Sequence, residues 1–165
     1  MRASVKAVAA LSLALGLAAW GCNDATDGLE VFRADLSGSN EVPARATAAS
    51  GTAGFTFDGT TVRYSVEVDD LSQTFMGHIH SGVAGVNGSI RVWLWPSTDP
   101  VRGPEVTFTD KTVIAEGSFT AANVTGLSFD ALLNEMRSGN CYVNFHSTTY
   151  PGGEIRGQVR LVEVD

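Results

Sequence analysis

The chain has three histidines, and all fall in two short motifs. His78 and His80 belong to Phe75-Met76-Gly77-His78-Ile79-His80, and His146 ends Cys141-Tyr142-Val143-Asn144-Phe145-His146. Both motifs read as strands, in which successive side chains point to opposite faces. His-x-His then sets two imidazoles side by side on one face, with Met76 beside them and with Phe75 and Ile79 on the other. In the second motif Cys141, Val143 and Phe145 form the core face, leaving Tyr142, Asn144 and His146 together on the opposite one. If the two strands are neighbours, the imidazoles converge on the outer, non-core face of a rigid sheet. Such a set suits copper, zinc or iron, and the Met76 thioether would favour Cu(I). Asn144 could orient His78 or His80 from behind by hydrogen bonding, or hold a turn. The competing reading makes the histidines ordinary hydrogen-bonded strand residues that hold no metal.

Other chemistry is sparse. There is no Ser-His-Asp order and no CxxC, and the glycine-rich run 82–88 lacks the following helix that a nucleotide loop requires. No residue is assigned a catalytic role. Trp93 and Trp95 share a face with Arg91, as an aromatic patch for a partner or as packing under the loop 96–106. If Cys22 is lipidated, Cys141 is expected to be a buried lone thiol; if it is not, a Cys22–Cys141 bridge stays open.

The elements that must position these residues are mostly strands. Val62, Tyr64, Val66 and Val68 alternate with polar residues, as do Phe32, Ala34 and Leu36, and Ile90, Val92 and Leu94. Asp58-Gly59 predicts a hairpin with a two-residue type I′ turn. Pro151-Gly152-Gly153 predicts a second reversal before a last strand over 154–162. Phe129, Leu132, Leu133 and Met136 keep helical spacing, with Ser128 as N-cap and Gly139 beyond the end, so one short helix is expected over about 128–137. The pattern predicts an all-β fold, a Greek-key β-sandwich or flattened barrel of about 7–9 antiparallel strands.

The beginning reads as an export signal. Arg2 and Lys6 precede an apolar stretch over 7–19 that is short for a bilayer span, and Ala19-Trp20-Gly21-Cys22 resembles the lipobox of a bacterial lipoprotein. Residues 1–21 are expected to be the signal peptide, Cys22 the lipidated first mature residue, 22–30 a tether and 31–165 the folded domain. The protein is then exported, to the cell envelope as a lipoprotein or otherwise by secretion, and touches a membrane only through that anchor. Cleavage removes Arg2 and Lys6 but no acid, taking the net charge from −7 to −9. Such a chain repels phosphate backbones, which argues against nucleic acid as a partner.

Two long stretches carry a family resemblance. Gly77-His78-Ile79-His80-Ser81-Gly82-Val83-Ala84-Gly85-Val86-Asn87-Gly88 is the first; Tyr142-Val143-Asn144-Phe145-His146-Ser147, continuing through Tyr150-Pro151-Gly152-Gly153-Glu154-Ile155-Arg156-Gly157-Gln158, is the second. With Leu36-Ser37-Gly38 and Asn40-Glu41-Val42-Pro43 near the start, they resemble the CHRD domain, named after chordin, over about residues 30–163. The resemblance implies an extracellular or exported module and assigns no activity. The His-x-His strand, the later histidine strand and the glycine-rich turn with arginine are also similar to the copper site of copper/zinc superoxide dismutases. That likeness implies His78, His80 and His146 as copper ligands and Arg156 as the group that attracts the superoxide anion. The chain has no histidine left for the bridging position or the zinc ligands of that family, so a paired copper–zinc centre is excluded on ligand count.

The leading expectation is an exported protein that captures, stores or transfers copper at a mononuclear site of His78, His80 and His146, with Met76 as a further ligand. Zinc could substitute in the same site. The alternative is a metal-free extracellular module that binds a protein or glycan. A superoxide-reactive copper enzyme is a third reading.

Overall fold

The alternation of apolar and polar residues becomes a set of short strands in the computed structural model, which describes residues 28–96 and 102–162. The leader, Cys22 and the first part of the tether lie outside the described residues. The strands are β1 (Glu30–Ser37), β2 (Ser50–Phe57), β3 (Val62–Asp69), β4 (Leu71–Ser81), β5 (Ile90–Trp95), β6 (Val106–Phe108), β7 (Thr112–Phe119), β8 (Cys141–Ser147), β9 (Ile155–Gln158) and β10 (Arg160–Val162), with one α-helix, α1 (Phe129–Arg137). The excess over the expected number comes from β6 and β10, each of 3 residues, too short for alternation to register. The single last strand expected over 154–162 is split at Val159, whose N–H turns aside to the Cys141 carbonyl at 2.9 Å.

All pairings are antiparallel, in the order β5-β4-β8-β9-β1-β2-β3-β7, with β10 on β1 and β6 on β4. The two ends of this sheet curl toward each other. The Tyr64 hydroxyl of β3 donates to the Leu94 carbonyl of β5 at 3.1 Å, so the sheet is a nearly closed, flattened barrel. Inside it lie Phe32, Phe55, Ile79, Leu94, Val143, Phe145 and Ile155, each at most 1 % exposed. Burying one such side chain contributes about 1.5–3 kcal/mol.

The helix follows its sequence signals. Ser128 Oγ accepts from the Ala131 N–H at 3.2 Å, Leu132, Leu133 and Met136 are buried, and Arg137 pairs with Glu30 of β1. The β2–β3 hairpin also forms, but not with the expected turn. Its loop is four residues long, because the Asp58 carboxylate accepts from the Thr60 and Thr61 N–H groups at 3.0 and 2.8 Å, and only Gly59 needs positive φ, at 94°. The aspartate side chain closes the loop that a type I′ turn would have closed by backbone alone.

Candidate metal centre

β4 and β8 are neighbours in register, with Met76 opposite His146, His78 opposite Asn144, Ile79 opposite Val143 and His80 opposite Tyr142. The core-facing parity of Ile79, Val143 and Phe145 therefore throws His78, His80 and His146 onto the other face. The His78 ring lies 5.4 Å from that of His80 and 5.1 Å from that of His146. One nitrogen from each histidine falls within 4.8 Å of those of the other two.

The expectation of an outer, solvent-side position is corrected. The three side chains are only 0, 7 and 7 % exposed, because loops cover this face of the barrel. The Gly88 carbonyl accepts from His80 Nδ1 at 3.0 Å, and the Pro151 carbonyl accepts from His146 Nδ1 at 2.9 Å. A carbonyl can only accept, so both rings carry their proton on Nδ1 and turn an Nε2 lone pair inward. His78 Nδ1 faces His146 Nε2 at 3.3 Å, and the two share a hydrogen bond. Three buried polar atoms have no partner: His78 Nε2, His80 Nε2 and Asn144 Oδ1. Left unmet, each such atom costs about 1–3 kcal/mol, so three of them together fit a site that takes up a further group.

The electrostatics match the donor chemistry. Burial pushes His78 down from 6.5 to about 2, helped by the neighbouring His146 and His80. Burial pushes His146 down to about 4 against the opposing bond to Pro151. His80 is lowered by burial as well, with its Gly88 bond working the other way. All three are neutral imidazoles at neutral pH, the form that ligates a cation.

The other expected residues are placed as follows. Met76 is half-buried opposite His146. A β-bulge between Thr74 and Met76 breaks the alternation there, so Phe75 leaves the core face expected for it and packs 6.4 Å from the His146 ring, under the Arg102 guanidinium. Asn144 is buried and its amide donates to Glu41 Oε1 at 3.5 Å. Arg156 is 1 % exposed; it donates to Asn87 Oδ1 at 2.9 Å and the Val86 carbonyl at 2.6 Å, and lies 3.3 Å over the Tyr142 ring. Cys141 is a free, buried thiol, pushed up by burial and by the adjacent Glu135.

Two residues of the centre, Tyr142 and Glu41, carried no assignment in the sequence, and a third, Trp93, was not expected beside the histidines. Tyr142 stacks on His80 at 4.8 Å and 8°, and its hydroxyl accepts from the Gly88 N–H at 3.1 Å, so it braces both the imidazole and the loop above it. Its parity with Asn144 and His146 was the available signal. Trp93 sits opposite His78 and meets it edge-on at 4.2 Å, walling the site. Glu41, 6 % exposed, is held above the usual carboxylate range by burial, and nothing in its neighbourhood of sequence signalled that.

Fold and site together define a β-barrel domain with a buried three-histidine cluster roofed by two loops. Residues 32–159 match the model of the CHRD domain, and the chain belongs to that family. No curated protein and no solved structure matches the chain. Among the described residues no helix is long and apolar enough to cross a membrane.

Proposed function

We propose that this protein is an exported copper-binding protein that takes up a single copper ion at His78, His80 and His146 for capture, storage or transfer. The observation that carries the reading is the convergence of three neutral ring nitrogens, two of them set by backbone carbonyls to present Nε2 inward. The ligating atoms would be Nε2 of His80, Nε2 of His146 and Nδ1 of His78, whose proton would move to Nε2 as the cation replaces its bond to His146. Copper stands above zinc in affinity for imidazole sites, and the Met76 thioether as a further ligand would favour Cu(I). Zinc would fit the same donors. Bound copper would supply a redox-active cation; the chain's own part is to hold it, keep water away and fix the tautomers.

Export, lipidation at Cys22 and a place in the cell envelope rest on the leader sequence. Membership of the CHRD family supports an extracellular module. The second reading, a metal-free interaction module, draws on the half-exposed Val83 and Val86 in the loop over the histidines. A superoxide-reactive enzyme has less support, since the Arg156 guanidinium is engaged by loop acceptors and by the Tyr142 ring.

Elemental analysis of protein isolated from its native compartment tests the proposal. The wild type should carry roughly stoichiometric copper, and the His78→Ala, His80→Ala double variant should carry none while keeping its circular dichroism spectrum. Metal retained in full by the folded double variant would refute it.

A further inference from the structure

The histidine cluster contains a fourth polar group that copper binding by the imidazoles alone leaves idle. Asn144 stands on β8 opposite His78, on the same face as His146, and is 3 % exposed. Its amide nitrogen donates to Glu41 Oε1, and Gly153 packs on this pair so closely that a Cβ there would collide with both partners. The amide is thereby pinned. Its nitrogen is committed to the carboxylate, and its oxygen, Oδ1, has no partner among the described residues. Asn144 also favours the protonated form of His80, which an amide oxygen does only from beside the ring.

Every unpartnered atom of the cluster is an acceptor. His80 and His146 keep their protons on Nδ1 for Gly88 and Pro151, so His146 Nε2 accepts from His78 Nδ1. That leaves His78 Nε2 and His80 Nε2 as lone pairs, with Asn144 Oδ1 as a third. Turning the amide over would offer its N–H groups to His80 but set Oδ1 against the Glu41 carboxylate, acceptor to acceptor. Acceptors gathered in a dry site are satisfied together by a cation.

Met76 competes for the place of further ligand. It lies opposite His146, next to a β-bulge, and is half-buried. A thioether left free there is an ordinary hydrophobe, whereas a buried amide oxygen left free is a standing cost. We propose that Asn144 Oδ1, in place of Met76, is the fourth donor of the site, and that the resulting set of three nitrogens and one oxygen selects Cu(II) over Cu(I). The proposal rests on the reading that the three histidines take up copper, and it names the oxidation state they hold. Nitrogen and oxygen donors together suit divalent copper, whereas a thioether would draw the site toward Cu(I).

X-ray absorption of the purified protein loaded with Cu(II), together with chelator competition for Cu(II) and Cu(I), tests it. The copper should have nitrogen and oxygen neighbours only. Asn144→Leu, similar in volume but without a donor, should weaken Cu(II) binding about tenfold or more and Cu(I) binding by less than about twofold. Met76→Leu should leave Cu(II) affinity unchanged; this variant and the absorption spectrum decide between the two fourth donors even where Asn144→Leu does not fold. Sulfur beside the copper, tenfold weaker Cu(II) binding in Met76→Leu, unchanged Cu(II) binding in folded Asn144→Leu, or an equal loss for both oxidation states would each overturn the proposal. Wild-type protein that binds neither ion would instead bring down the copper reading itself, and the role of Asn144 with it.

Discussion

Lowering the pH should unfold the metal-free protein through its histidines. In the folded chain His78 and His146 are held down to about 2 and about 4, from an ordinary 6.5. Both stay neutral at about pH 5.5, whereas in the unfolded chain each imidazole is then mostly protonated. The unfolded state binds more protons, so stability falls as pH drops below the unfolded value and keeps falling toward the folded one. Between about pH 7.5 and 5.5 each group removes about 1.4 kcal/mol, and the pair about 3 kcal/mol. His80 acts in the same direction, while Glu41, raised by burial, blunts the slope. Against a total stability of about 5–15 kcal/mol the loss is large. In urea denaturation the midpoint should fall by about 1–3 M, for a dependence of about 1–3 kcal/mol per molar. Copper, binding only the neutral rings, should restore it. A midpoint that does not move over this interval would refute the reasoning, as would an equal fall in a folded variant with all three histidines replaced by glutamine.

Replacing Tyr142 by leucine removes the ring that braces His80 and the hydroxyl that holds Gly88; copper affinity, measured by chelator competition, should drop about tenfold or more, and Tyr142→Phe should recover part of it by keeping the stack. Gly153→Ala should destabilise by more than about 1 kcal/mol in thermal unfolding, because φ there is 124° and a Cβ would collide with Glu41 Oε1 and the Asn144 amide. Met136→Ala, at a position with no exposure beneath the helix, should cost about 2–5 kcal/mol in chemical denaturation, with no change in metal stoichiometry in the folded protein.

What the sequence disclosed and what it hid divide along physical lines. Alternation is a local signal, so Val62, Tyr64, Val66 and Val68 announce β3, and Ser128 with its following apolar spacing announces α1. Strand parity also placed the three histidines on one face. It could not say whether that face is wet, because the cover comes from Gly88 and Pro151, in the loops that leave β4 and β8, and alternation within a strand does not say that the loop after it folds back over the same face. A bulge shifts parity without leaving a mark in composition, which is why Phe75 changes sides. Arg156 and Glu41 take their character from tertiary neighbours, and no spacing rule reaches contacts separated by some 70 to 100 residues.

The two carbonyls that set the imidazole tautomers belong to the loops that roof the site. Loading and unloading of a metal would thereby be tied to the same motion: an ion could not leave until the roof lifts, and lifting it would withdraw the Gly88 and Pro151 acceptors that keep His80 and His146 aligned. Residence time would then follow the opening rate of the loops more closely than the strength of the metal–nitrogen bonds. A recipient that presses on half-exposed Val83 and Val86 could speed release without ever touching a ligand.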